Sequence, residues 1–324
     1  MKKYPIQLQP VPKEIIWGGN RLKKEYNKKA EFDNIAESWE LTVRNDEINI
    51  ITNGPYKGCS LKKYIETDKT SVLGTNCDKY EYFPLLVKLI DAKSDLSIQV
   101  HPDDEYALSH RNEFGKTEMW YIIDAEKDSK IVYGLKDGIT IEDFKRSVAE
   151  NTVEKMLNYV PVKKGEVYFI PSGQVHAIGA GILIAEIQQN SNVTYRVYDY
   201  NRKMPDGSLR ELHVDDAINV IKLRDEKEIN DIRFSHPYSD DSGLTICSCD
   251  FFTSVKYASN RNIEIECGED SFLSILVLEA GKSCYFTHDN ARYNFRKGDS
   301  FFIPAGLGKI TVWGDAELIV TKIN

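Results

Sequence analysis

No stretch of this 324-residue chain approaches the 18 or more consecutive apolar residues of a membrane helix; the best run, FLSILVLEA (272–280), is the size of a strand. Excess positive charge is missing too: 42 Lys+Arg stand against 50 Asp+Glu, a net charge of −8. An acidic chain lacks the electrostatic footprint for nucleic acid or an anionic membrane, so any anionic ligand must meet a local basic pocket. The opening MKKYPIQLQPVPKEI has lysines but no apolar run behind them, so it does not read as a secretory signal. Cysteine is sparse, six residues (59, 77, 247, 249, 267 and 284) spread along the chain, as expected of reduced thiols in a cytoplasmic protein. Cys247 and Cys249 form a C-x-C pair that is read as packing on one strand face rather than as a metal site. What remains, 41% hydrophobic and 28% charged residues, is ordinary globular chemistry of a length suited to two domains.

The dominant pattern is short alternating segments punctuated by Gly, Pro and Asp: LLVKLID (85–91), LSIQVH (96–101), MWYIID (119–124), EVYFIP (166–171) and ILIAEIQQ (182–189). A second set, SVKYAS (254–259), SFLSILVLEA (271–280), DSFFIP (299–304), KITVWG (309–314) and ELIVTKI (317–323), fills the last 80 residues. Helical patterns are fewer. LKKYIETD follows a capping Ser60, DDEYALSHRNEF opens on acidic residues, TIEDFKRSVAENTVEKMLNYV predicts one or two helices, and RELHVDDAINVI another. Strands without regular helical crossovers predict a mainly β protein of two jelly-roll β-barrels with helical insertions. The polar stretch 224–243 reads as a linker, giving domains 1–230 and 231–324.

An internal repeat joins the halves. GEVYFIPSG (165–173) and GDSFFIPAG (298–306) share one Gly-to-Pro-x-Gly strand module. Three residues after the second Gly, the first copy has His176 and the second Lys309, so a metal site in this module would survive only in the first. Alternation also puts Gln99 and His101 on one strand face, and Glu118 on one face with Trp120 and Ile122.

The first copy, with Gly165, Pro171, Gly173 and His176, resembles the second motif of the cupin superfamily; the first cupin motif is matched only by Gln99-x-His101, without its Gly. The chain as a whole resembles the type I mannose-6-phosphate isomerases in their short bacterial form. The resemblance rests on Ile16-Trp17-Gly18-Gly19, Glu37-Ser38-Trp39-Glu40, PLLVKLIDAKSDLSIQVHPDDEYA (84–107), GKTEMWYII (115–123), GEVYFIPSGQVHAIGAG (165–181) and IAEIQQNSNVTYRVYDY (184–200). It implies one zinc ion per chain, with Gln99, His101, Glu118 and His176 as ligands. Two imidazoles, a carboxylate and an amide oxygen suit zinc with an open position. His110, His213, His236 and His288 are left structural.

The reaction implied is interconversion of mannose 6-phosphate and fructose 6-phosphate through a cis-enediolate. That chemistry requires an electrophile, a base of pKa about 7 and cations for the phosphate. Lys88, Lys116 and Arg196 are cations set in otherwise apolar strand runs. The resemblance places Arg196 at the reacting end with Lys116 nearby as catalytic groups, and Trp17, Lys88, Ser97 and Glu186 as substrate-binding groups. Asn192 stands where the family often has an aspartate, so Lys116, His101 and a zinc-bound water all stay open as the base. The second module reads as a metal-free jelly roll. Rival readings are an Fe(II)-dependent oxygenase on His101, Glu118 and His176, and a non-catalytic sugar-phosphate-binding protein. The expected partner is a small phosphosugar, with no nucleic acid or membrane; the oligomeric state is left open.

Overall fold

Alternating strands bury one face each, and here they pair into two double-layered β units. The computed structural model describes residues 2–44, 47–234, 238–239, 243–259 and 262–324. In the first unit a six-stranded sheet runs in the order Val167–Ile170, Glu118–Ala125, Ile182–Gln189, Leu85–Ala92, Glu37–Leu41, Val11–Lys13. A five-stranded sheet has the order Leu157–Pro161, Lys130–Leu135, His176–Ile178, Ile98–Val100, Tyr195–Tyr198. Between them lies an apolar layer that includes Trp17, Ile90, Leu96, Trp120, Ile122 and Ile184. The outer face of the five-stranded sheet is sealed by Phe144 and Ala217 from the helices Ile141–Ala149 and Val214–Val220.

Register sets two rows of side chains across the sheets. In the six-stranded sheet Trp39 pairs with Lys88, Lys88 with Glu186, and Glu186 with Trp120. In the other, Arg196 pairs with Gln99, Gln99 with His176, and His176 with Tyr133. Paired residues share a face of a sheet, so each row gathers groups from strands remote in sequence.

The second unit stacks an eight-stranded sheet on the four strands Ile263–Cys267, Gly308–Trp313, Cys284–His288 and Ala291–Phe295. Its interior is filled by Ile275, Val277, Phe286, Phe301, Ile310 and Leu318. The eight-stranded sheet also takes in two strands from the start of the chain: Ile6–Gln9 pairs with Ser300–Ile303, and Ile50–Ile51 pairs with Ile6–Gln9. A shared apolar cluster, including Leu85, Met119, Ile187, Leu276 and Phe302, packs the two units together.

Both repeat modules form a short strand, Val167–Ile170 and Ser300–Ile303, entered through glycines at φ 90° and 85°. That left-handed backbone favours glycine. At Gly298 space demands it as well, since a Cβ would lie 2.8 Å from the Tyr26 carbonyl oxygen. Four helices follow the sequence reading, Val214–Val220 within RELHVDDAINVI among them. Ser60 accepts from the Lys63 N–H to cap Leu61–Ile65, Asp103 accepts from Tyr106 to cap Asp104–Arg111, and Thr140 forms a capping box on Ile141–Ala149. Two segments differ. LNYV is not helical but opens the strand Leu157–Pro161, because Val132 and Leu135 offer it a sheet edge. The stretch read as a linker contains the helix Glu226–Phe234, anchored by buried Ile229 against the apolar layer of the first unit. Among the described residues no helix is long and apolar enough to cross a membrane.

Candidate metal centre

His101, just beyond Ile98–Val100, Glu118, first in its strand, and His176, first in its own, converge from three strands. All three are buried. The two Nε2 atoms are 3.1 Å apart; Glu118 Oε2 lies 3.7 Å from His101 Nε2 and Oε1 lies 3.4 Å from His176 Nε2. They are the one such His/Cys/Asp/Glu group among the described residues, with ligand atoms all within 4.8 Å.

The imidazoles are oriented from behind. His101 Nδ1 is 2.9 Å from the Val193 carbonyl oxygen and His176 Nδ1 is 2.8 Å from that of Gln174. A carbonyl only accepts, so each Nδ1 carries the proton and each neutral ring turns an Nε2 lone pair inward. Burial keeps the rings neutral. It pushes His176 down to about 3, and with the Lys116 ammonium beside it pushes His101 well below the ordinary histidine range. Two lone pairs therefore face each other across 3.1 Å beside a buried carboxylate whose Oε1 has no hydrogen-bond partner. Burial and the nearby Glu186 raise the Glu118 pKa, which marks an anion short of positive charge. This donor set fits a divalent cation. Gln99, with its Nε2 3.4 Å from His176 Nε2, reaches the same point through its amide group.

Lys116 precedes the strand that Glu118 opens, yet its Nζ is 3.1 Å from His101 Nε2 and 2.9 Å from Glu118 Oε2. Lys88 and Glu186 form a buried ion pair at 3.0 Å on the facing row. Trp120 Nε1 donates to Glu186 at 3.0 Å and its ring lies edge-on to His176. Burial works against both charges. Lys88 and then Lys116 nonetheless hold Glu186 below the usual carboxylate range, while Glu186 and Glu37 hold the Lys88 ammonium above its own. Arg196 donates through Nε to Ser97 Oγ at 3.2 Å and through Nη1 to the Glu211 carbonyl at 2.9 Å. Trp17 is buried in the apolar layer beside Trp120. The structure thus brings Gln99, His101, Lys116, Glu118 and His176 into one cluster. Lys88 with Glu186 and Arg196 with Ser97 lie on the two adjoining rows, and Trp17 supplies an apolar wall.

Some participants escaped the sequence reading. Glu37 accepts from Trp39 Nε1 at 2.7 Å and stands 3.5 Å from Lys88. Alternation in ESWE was the available signal, since it sends Glu37 and Trp39 to the face opposite Ser38 and Glu40. Arg202 and Arg210 share the single carboxylate Asp199, and with Arg196 they concentrate positive charge at its end of the row. Burial, and next Arg210, lower the Arg196 pKa. Both arginines lie in the loop after Tyr195–Tyr198, where no periodicity marks them.

Asn192 is exposed, and its backbone N–H donates to Glu113 at 3.2 Å. His110 stacks on Tyr106, and His288 meets the Lys309 carbonyl. His213 lies closer to the site than expected, its Nδ1 3.4 Å from the Arg196 backbone N. His236 falls outside the described residues. Lys309, at the position matching His176, is exposed and pairs with Glu264 at 2.9 Å. The six cysteines are free thiols.

Residues 6–116 match the family described as phosphomannose isomerase type I, catalytic domain, and residues 243–323 match the mannose-6-phosphate isomerase cupin domain. Mannose-6-phosphate isomerase ManA of Bacillus subtilis is 38% identical over 324 residues, covering 100% of both chains. The mannose-6-phosphate isomerase of Streptococcus mutans is 34% identical, over 99% of this chain and 98% of its own. The solved mannose 6-phosphate isomerase of Bacillus subtilis superposes with a TM-score of 0.88 at 33% identity, covering 99% of each chain. That of Salmonella typhimurium in its apo form covers 100% of both at a TM-score of 0.79 and 16% identity, a likeness of fold alone.

Proposed function

Because the chain belongs to the type I phosphomannose isomerases and is an isomerase, we propose that it interconverts mannose 6-phosphate and fructose 6-phosphate at one zinc ion, by proton transfer through a cis-enediolate. The observation that carries the metal is the pair of inward Nε2 lone pairs, 3.1 Å apart beside the carboxylate of Glu118. His101, His176, Glu118 and Gln99 would hold the ion. When bound, it would supply Lewis acidity to the sugar oxygens and fix their orientation.

The chain's own groups divide the remaining work. Lys116 Nζ, buried beside the donor set, is the group we place to move the proton: as the free amine it takes the proton from one of C1 and C2, and as the ammonium so formed it returns the proton to the other. Arg196 stabilises the charge that develops on the enediolate oxygens. Its fork has five N–H donors, of which the Ser97 and Glu211 contacts use two. Lys88, Glu186 and Ser97 line the sugar site, with Trp17 behind them excluding water. Arg202 and Arg210 are the cations placed to draw the phosphate. We assign this chemistry to residues 1–230, and read 231–324 as a metal-free jelly roll with an apolar interior and the exposed Lys309 at the position of His176.

A coupled assay for fructose 6-phosphate, run before and after chelation and again after zinc is restored, tests the proposal. Full turnover in metal-free protein, or none in protein carrying stoichiometric zinc, defeats it.

A further inference from the structure

A cavity of about 440 Å³ opens where the start of the chain meets the second repeat module. Its walls come from the strand Ile6–Gln9, the end of the helix Arg21–Tyr26 with the residues after it, and the turn 296–299. Four cations line it, Lys28, Lys29, Arg296 and Lys297, against one carboxylate, Asp299. In a chain of net charge −8 that is a local reversal of sign.

The cations differ in how they are held. Lys28 is buried, with its Nζ 2.6 Å from Glu40 and also donating to the Gly298 carbonyl. Lys297 pairs with Glu279 at 2.8 Å and lies over the Tyr26 ring. Lys29 and Arg296 have no ion-pair partner among the described residues. Asp299 is occupied, accepting from Gln7 Nε2 at 3.1 Å and from the Arg296 backbone N–H at 2.8 Å. Two lining residues, Ser38 at 0% and Tyr26 at 2% exposure, bury hydroxyls without a hydrogen-bond partner. Such groups are normally satisfied.

We propose that this cavity is a binding site for a small phosphate-bearing anion, separate from the metal centre. Free cations, a fixed buried ammonium and unpaired hydroxyls are what a tetrahedral anion recruits, and the volume lies in the range of small-ligand sites. The cavity also touches the active-site strand from behind. Ser38 and Glu40 face this side of Glu37–Leu41, while Glu37 and Trp39 on its other side contact Lys88. An anion bound here would be felt at Lys88 through one strand.

Calorimetric titration of the metal-loaded full chain with inorganic phosphate tests the site. Saturable binding in the millimolar range or tighter, kept in Arg202→Gln/Arg210→Gln and weakened at least about tenfold in Lys29→Ala/Arg296→Ala, is the expected result. Both alanines replace exposed side chains, so folding and basal turnover are retained. Binding lost in Arg202→Gln/Arg210→Gln alone would place the phosphate in the active site and overturn the proposal. Binding unchanged in the double variant, or no saturation by about 20 mM, would overturn it equally.

Discussion

Replacing Arg196 by alanine is the sharpest test of the active-site geometry. Its guanidinium is half-buried, and no carboxylate forms an ion pair with it among the described residues. Two of its donors go to Ser97 Oγ and the Glu211 carbonyl, both neutral acceptors. The rest have no acceptor among the described residues, in a region where burial and Arg210, with Arg202, outweigh the attraction of Asp199 and Glu211. A guanidinium kept there against burial and like charge is poised for an anion that comes and goes. If that anion is the enediolate, the contact exists mainly in the transition state. Losing one preorganised donor of this kind costs about 2.7–4 kcal/mol, roughly a 10²–10³-fold fall in kcat, with a smaller change in KM. Arg196→Lys should recover little, since a point charge does not reproduce the planar fork. Ser97→Ala, which removes one hydrogen bond from the charged guanidinium worth about 1.5–3 kcal/mol, should cost no more than roughly a hundredfold. The measurement is steady-state kinetics in both directions, beside a denaturation curve for each variant. A steep rise in KM at constant kcat would make Arg196 a phosphate grip and shift the charge-stabilising role to Lys116. Unchanged kcat and KM would refute the reasoning outright.

Other substitutions probe the surroundings. His176→Ala should lose bound metal by elemental analysis and turn over negligibly; stoichiometric zinc in that variant would remove His176 from the ligand set. Lys88→Met strands Glu186 as a buried carboxylate with the partly buried Glu37 beside it, and should lower unfolding free energy by about 3–5 kcal/mol in a urea titration, whereas a midpoint near wild type would mean water already reaches the pair. Lys309→Ala removes only a surface pair with Glu264, worth about 0–1 kcal/mol, so kcat and metal content should stay at wild-type values; a tenfold loss would bring the second unit into the site. Asn192→Asp should change kcat by less than about threefold, roughly 0.65 kcal/mol of barrier, because Asn192 is exposed; a large gain would identify that position with the general base.

Legibility varied with how local the signal was. Leu85–Ala92 and Ile182–Gln189 stand out as apolar runs of strand length, and they pair along all eight residues. Gln99 and His101 declare themselves by alternation, and His176 by its place after a Pro-x-Gly turn. By contrast, LNYV carries both helical and strand character, and only the edge offered by Lys130–Leu135 decides between them. The helix Glu226–Phe234 is too polar over EKEIND to announce itself, and among its described side chains only Ile229 is buried. Trp39 opposite Lys88, and Arg210 beside Asp199, depend on sheet register and loop path, which no local window contains.

The pairing of Ile6 with Phe302 spans 302 − 6 = 296 residues. On a ribosome adding about 5–20 residues per second, the first strand waits roughly 15–60 s for its neighbour to be made. Until then Ile6 and Leu8, both buried in the finished fold, have only the two-residue strand Ile50–Ile51 to pair with, and the other edge of their strand stays open. The first unit can close around its metal ligands while the second is still being synthesised, but its seam with that unit is sewn last. Nascent chains stalled short of residue 300 should therefore leave the amino-terminal strand open to proteases and to holdase chaperones.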